Sequence, residues 1–179
     1  MSAAAELSFR QAVEADLPQL YECDRCSMVH ESRRLELSRT VQQMSCLLAL
    51  AGDQPLGFGV LEYSFFGNGF IPLICVATRH QGNGVGLALL SELEQSCLTP
   101  KLFTSTNASN RAAQRLFSRA GFSRSGTVEN LDEGDPEFIY FKVVPQGSQP
   151  ANPSVKGTCL RQAPYVERWA SLGTEPQDS

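Results

Sequence analysis

Val76-Ala77-Thr78-Arg79-His80-Gln81-Gly82-Asn83-Gly84-Val85-Gly86-Leu87 is the stretch whose reading decides the fold. It joins an apolar, β-rich run at residues 70–78 to an amphipathic run at 84–97. There Val85, Leu89, Leu90, Leu93 and Cys97 share one helical face, opposite Glu92, Glu94 and Gln95. Glycines at the alternate positions 82, 84 and 86 let the backbone approach a ligand closely and aim successive N–H groups at an anion. The start of the following helix adds its positive dipole end, so a phosphate or pyrophosphate is the natural occupant; a tight turn without a ligand is the plainer alternative. Leu87 and Ala88 follow Gly86, so the lysine and hydroxyl of a Walker turn are missing. A dinucleotide fingerprint needs an acidic residue about 20 positions on, where this chain has Thr104 to Asn107.

Outward from the turn, a strand is expected at 7–12. A helix starts around residues 14–18, with Asp16 positioned to accept free amides and Pro18 in its first turn. Leu37, Val41, Met44 and Leu48 recur at helical spacing and predict a second helix over 31–45. Strands at 47–51, 56–65 and 70–78, punctuated by Gly52-Asp53-Gln54-Pro55 and Phe66-Gly67-Asn68-Gly69, predict an antiparallel meander. After the helix at 84–97 come a strand at 101–106, a helix at 109–120 closed by Gly121, and strands at 123–128 and 138–143. The order βααβββαβαββ describes a mixed α/β domain with one strand-helix-strand crossover in its middle.

The 179 residues, 42% hydrophobic with a formal charge of −4, suit one domain with an appendage. The longest apolar run, residues 46–51, is far below the roughly 20 residues that span a bilayer. Residues 1–10 lack the basic start and apolar core of a secretory signal, which predicts a cytoplasmic protein without a membrane partner. The acidic balance disfavours nucleic acid as a partner. Five of the 10 prolines (145, 150, 153, 164 and 176) lie in the last 35 residues, so the domain is expected to end at 144. Residues 145–179 then form a disordered or loosely docked tail, in which 165–172, around Trp169, have amphipathic character. Cys23, Cys26, Cys46, Cys75, Cys97 and Cys159 are scattered. Cys23-x-x-Cys26 with His30 offers three zinc-type ligands without a fourth, and is read as ordinary reduced thiols, with no metal.

Two motifs in order carry a resemblance. Gln81-x-x-Gly84-x-Gly86 lies between a strand and a helix. Asn107-x-x-Asn110-x-x-Ala113-x-x-Leu116-Phe117-x-x-x-Gly121-Phe122 follows the next strand. Together they resemble the GNAT superfamily of N-acetyltransferases over residues 7–144. The resemblance implies an α/β (α+β) acyl-CoA N-acyltransferase fold: a mixed, mainly antiparallel, splayed sheet of 6–7 strands with about four helices. It implies acetyl-CoA as co-substrate, its pantetheine arm lying between the strands at 70–78 and 101–106, and a homodimer would accord with the family's habit. Backbone groups of Cys75, Val76 and Ala77 would then hold pantetheine. The turn of Gln81, Gly82, Asn83, Gly84, Val85 and Gly86 would take the pyrophosphate, and Asn107 and Asn110 the cofactor arm. Gln81 stands where the family more often has arginine.

Acetyl transfer to an amine needs an oxyanion donor, which a backbone N–H supplies, and routes for two protons. The family's usual tyrosine acid is Phe117 here, and its glutamate base position is Ile71. Glu62 and Tyr63 sit on the central strand, where alternation lets one of them face the cofactor side. Glu62 acting through water is the candidate base, with Tyr63 and His30 as candidate substrate contacts. Residues 129–137 contain five acids and no base; Glu129, Asp132 and Glu133 could attract a cationic amine, or the stretch is a solvated hairpin loop. The chain therefore reads as an N-acetyltransferase acting on a primary amine of a small molecule or peptide, against the alternative of a non-catalytic acyl-CoA-binding module.

Overall fold

The computed structural model describes residues 7–145. The expected tail, its amphipathic segment and Cys159 lie outside the described residues. A single seven-stranded sheet runs in the order β1-β2-β3-β4-β5-β7-β6. Its strands are β1 (Leu7–Gln11), β2 (Cys46–Ala51), β3 (Gln54–Phe65), β4 (Asn68–Val76), β5 (Lys101–Asn107), β6 (Ser123–Val128) and β7 (Glu137–Val143). Every neighbouring pair is antiparallel except β4 and β5. Those two are parallel because the chain between them returns through a helix.

Among the described residues, five α-helices cover the sheet: α1 (Leu17–Cys23), α2 (Arg25–Val29), α3 (Glu31–Gln42), α4 (Val85–Gln95) and α5 (Arg111–Arg119). This is one more than expected. Asp24 adopts an extended conformation and its carboxylate accepts the amide of Cys26, ending α1 and starting α2 within a stretch that reads as continuous helix. Asp16 also departs from expectation. Its carboxylate is turned back to Arg10, at 2.7 and 2.8 Å, and to the amide of Val13, at 2.8 Å, rather than to the first turn of α1. A guanidinium within reach outcompetes free amides that water can serve.

Strand alternation sorts the apolar residues onto two faces. Leu48, Phe58, Val60, Leu73 and Cys75 pack with Leu20 of α1 and Leu37 and Val41 of α3. Leu61, Ile71 and Ile74 pack with Leu90 and Leu93 of α4 and with Phe117 of α5. Among the described residues, no helix is long and apolar enough to cross a membrane.

Pairing between β4 and β5 stops early. It holds Gly69, Phe70 and Ile71 against Leu102, Phe103 and Thr104, although β4 continues to Val76 and β5 to Asn107. The cause lies in the sequence. Pro72 has no N–H, so β4 cannot offer the donor that would follow Ile71. The register against β3 also slips there, from Val60 opposite Leu73 to Glu62 opposite Phe70, which places one extra residue in β4. The last point of contact is a side-chain bond: the buried hydroxyl of Thr104 donates to the carbonyl of Ile71 at 2.9 Å. Beyond it the sheet is open.

Candidate active site

The backbone groups that face this opening follow from the ladder on the other side of β4. Ala77 donates to the carbonyl of Leu56 at 2.9 Å, so residues 77, 75 and 73 turn their backbone groups toward β3. Ile74 and Val76, between them, turn theirs toward the gap. Of the expected pantetheine contacts, Val76 faces the gap, whereas the backbones of Cys75 and Ala77 are engaged with β3. Ile74 takes their place. Which residues of this segment turn to the gap could not be read from the sequence, because hydrogen-bond phase depends on register with the partner strand. The carbonyl of Val76 meanwhile accepts the side-chain amide of Gln81 at 3.0 Å.

The glycine turn closes one end of a cleft of about 330 Å³. The cleft is lined by Ile74, Val76 and Gln81, by Gly82, Gly84 and Gly86, and on its far side by Asn110, Leu116 and Arg119. Gly82 and Gly84 have φ of +80° and +83°, the left-handed region that a side chain disfavours. A Cβ at either would meet nothing within 4 Å, so the protein leaves the space over the turn open. Gly86 has a different reason: its Cβ would lie 3.2 Å from Leu116, so its bareness brings α4 close to α5. The first intrahelical bond of α4 runs from Ala88 to Gly84, which leaves the amides of Val85, Gly86 and Leu87 without helical acceptors. These donors and the helix dipole converge where a pyrophosphate would sit.

Asn110 lines the cleft, but its side-chain oxygen accepts the amide of Ala113 at 3.1 Å and caps α5. Asn107 turns away from the cleft: its side-chain amide donates to Asp132 at 2.7 Å and to the carbonyl of Asp135 at 3.3 Å. Asp135 accepts the amide and hydroxyl of Ser109, at 2.9 and 2.6 Å. The acidic loop is thereby latched to the start of α5. Two of its carboxylates have this structural work, while Glu129 and Glu133 stay exposed. Arg119, which sequence reading passed over, is a basic residue in the last turn of α5 that lines the cleft and makes no ion pair among the described residues. The signal for it was its place one turn beyond the cleft-lining Leu116.

On the opposite face of the sheet, Glu62 lines a groove of about 160 Å³ with Glu36, Arg39, Thr40, Gln43, Val60, Pro72 and Leu73. The hydroxyl of Ser64 donates to the Glu62 carboxylate. Tyr63 points to the other face, where its oxygen accepts the amide of Leu98 at 3.0 Å just after α4. Burial pushes the Tyr63 phenol upward, partly offset by that amide. His30 is exposed at the start of α3, in a groove with Tyr21, Met28, Arg34 and Ser38 that includes no residue of β4 or β5. Phe117 and Ile71 are buried at 2% and 1% exposure. Among the described residues, no three His, Cys, Asp or Glu side chains are grouped to hold a metal; the carbonyl of Cys23 accepts the Cys75 thiol.

A sheet that opens at its parallel pair, with an amide-rich helix start at the mouth, offers a cleft suited to a long anionic ligand. The model of the acetyltransferase (GNAT) family matches residues 9–122, and the chain belongs to that family. The solved structure of a GNAT-family acetyltransferase from Bacillus cereus is 33% identical, covers 79% of this chain and 99% of its own, and superposes with a TM-score of 0.73. The ribosomal-protein-S18-alanine N-acetyltransferase of Escherichia coli is 19% identical with a TM-score of 0.65, over 80% of this chain and 97% of its own. YncA of Salmonella typhimurium, solved with its cofactor acetyl-CoA, is 19% identical with a TM-score of 0.61, over 82% and 98%. These last two likenesses speak for the fold. No curated protein matched the chain in a search by sequence.

Proposed function

We propose that this acetyltransferase moves an acetyl group from acetyl-CoA directly to a primary amine, with the donor and the amine meeting at the fork of β4 and β5 from opposite faces of the sheet. One observation carries the reading. The glycine-turn cleft reaches Ile74 and Val76 from the α4 and α5 side, while the Glu62 groove reaches Pro72 and Leu73 from the α3 side. The two share β4 and nothing else.

In this reading the amides of Gly82, Asn83, Gly84, Val85 and Gly86 hold the pyrophosphate, and Arg119 supplies the charge that Gln81 does not. Asn110 borders the donor through its free side-chain amide. The amide of Gln81 swings off the Val76 carbonyl when pantetheine takes its place in the gap. The Ile74 N–H is the oxyanion donor. The amine nitrogen attacks the thioester carbon, the carbon–sulfur bond breaks, and the amine proton passes through water to Glu62. The departing thiolate takes its proton from water, since Phe117 has none to give. Glu62, which makes no ion pair among the described residues, favours a cationic acceptor over an anionic one, while Glu36 in the same groove is paired with Arg33 and offset by Arg39.

The buried Phe117 and Ile71 favour a second reading, in which the chain binds acyl-CoA without turnover. Amine-dependent release of free CoA, screened over primary amines, separates the two. Turnover that falls at least tenfold in Glu62→Gln with an unchanged thermal shift by acetyl-CoA supports the first. Stabilisation by acetyl-CoA with no release on any amine supports the second. No stabilisation by acetyl-CoA refutes both.

A further inference from the structure

Cys75 lies on β4 between Ile74 and Val76, and its side chain points away from the glycine-turn cleft, into the layer under α1 and α3. Cys23, the last residue of α1, packs against the same apolar cluster. The Cys75 thiol donates to the carbonyl of Cys23 at 3.0 Å, which brings the Cys75 sulfur against that residue. Two cysteines 52 positions apart in the chain are thus in direct contact, next to the stretch of β4 whose backbone lines the gap.

We propose that Cys23 and Cys75 form a reversible disulfide when the protein meets a hydroperoxide, and that this is a modification site tying the end of α1 to β4. The two thiols are unequal in a way that gives each a part. The neighbouring Cys75 thiol holds the Cys23 thiol below its ordinary value, with help from the Ala77 amide and the Arg79 guanidinium, against burial and the charge of Asp24. Cys75 is pushed upward by Cys23 and by burial. Cys23 and Cys75 are both half-buried, so access does not separate them; Cys23, with the lowered value, is the readier thiolate and the one the peroxide oxidises. Its sulfur attacks the distal peroxide oxygen, the O–O bond breaks, and the alkoxide leaves as alcohol, giving a sulfenic acid. The Cys75 sulfur then attacks the Cys23 sulfur, the S–O bond breaks, and hydroxide leaves with the Cys75 proton as water. Two thiols lose two electrons and one peroxide gains them; a dithiol reverses the step by exchange.

Cys26 is the competitor, by its Cys-x-x-Cys spacing. It is exposed, and its amide is held by Asp24 at the start of α2, while its sulfur makes no hydrogen bond to Cys23 among the described residues. The contact therefore favours Cys75.

The test needs no acetyltransferase assay. The reduced full-length chain is treated with one equivalent of hydrogen peroxide, alkylated, digested and analysed by mass spectrometry. The expected product is a peptide pair linking Cys23 to Cys75, lighter by two hydrogen atoms and lost on adding dithiothreitol. Cys75→Ser should instead accumulate a dimedone adduct on Cys23, and Cys26→Ser should form the link as wild type does. A Cys23–Cys26 or Cys75–Cys159 link, modification confined to Cys26, or full retention of free thiols overturns the proposal.

Discussion

Replacing Thr104 by valine asks whether one hydrogen bond holds the sheet closed up to its fork. The two side chains have nearly the same volume, so the substitution leaves packing around Leu102 and Phe117 intact and removes only the hydroxyl. Thr104 is fully buried at 0% exposure and Ile71 at 1%, so water cannot reach the carbonyl that loses its 2.9 Å donor. The net worth of an ordinary intramolecular hydrogen bond is about 1 kcal/mol, and stranding a buried partner costs about 1–3 kcal/mol. The added methyl recovers part of this by sitting in apolar surroundings. The expected loss is therefore about 1–3 kcal/mol. For a chain of this size that is roughly 2–4 °C in Tm per kcal/mol.

Urea unfolding followed by circular dichroism measures it, with an unchanged m-value showing that only stability moved. Thr106→Val is the control. Thr106 is on the same strand and face and nearly as buried, at 7% exposure, but its hydroxyl makes no bond among the described residues. It should cost less than about 0.5 kcal/mol. If Thr104→Val is no more destabilising than Thr106→Val, the hydroxyl does not hold the fork, and Pro72 alone must account for where pairing ends. If it is more destabilising, acetyl-CoA should also stabilise Thr104→Val less than wild type, because the gap is no longer pre-set.

Three further substitutions probe other links. Gly84→Ala puts a Cβ on a residue with φ of +83°, at about 1–2 kcal/mol of strain; acetyl-CoA affinity, by calorimetry, should fall at least fivefold, and an unchanged value would place the phosphates elsewhere. Asp16→Asn tests the Arg10 pair. Arg10, then the Val13 amide, hold the Asp16 carboxyl below its ordinary value despite burial. A depressed folded-state value stabilises above the unfolded value of about 3.9 and is lost as pH falls through the folded one. Because Arg10 is 45% exposed, the deficit of Asp16→Asn in urea unfolding should be only about 1–2 kcal/mol at pH 7. It should shrink below pH 4, and a pH-independent deficit would contradict the pairing. Phe117→Tyr restores a proton donor; it should raise amine-dependent kcat while costing about 1–2 kcal/mol for the buried hydroxyl. An unaltered kcat would show that thiolate protonation does not limit the rate.

What was legible in the sequence was what neighbours along the chain determine. The glycine turn could be read because its strand, its left-handed positions and its helix are contiguous, and the order of elements along the chain followed from hydrophobic period and turn residues. Asp24 shows a local signal passed over: an aspartate two residues before a helical amide is a cap, and it splits the first helical region in two. Pro72 was legible in the same way, since a proline inside a strand predicts a bulge or an unpaired edge, and both occur at the one place where the sheet must open. The rest depended on partners far away. Nothing near Asp132 or Asp135 announces that Asn107 and Ser109, about 25 positions earlier, will claim their carboxylates. That is why Asp132 and Asp135 fold as a latch within a run that reads either as an attractant for cations or as a solvated loop. Alternation required Glu62 and Tyr63 to face opposite ways but left open which way, because that phase is set by which face of β3 the helices α1 and α3 bury. With Phe58 and Val60 turned under those helices, Glu62 follows them at period two to the face opposite the glycine turn. The base candidate and the donor turn are thus on different faces for a reason no motif contains: Gly59 and Leu61 of β3 face α4, whereas Phe58 and Val60 between and beside them pack under α1 and α3.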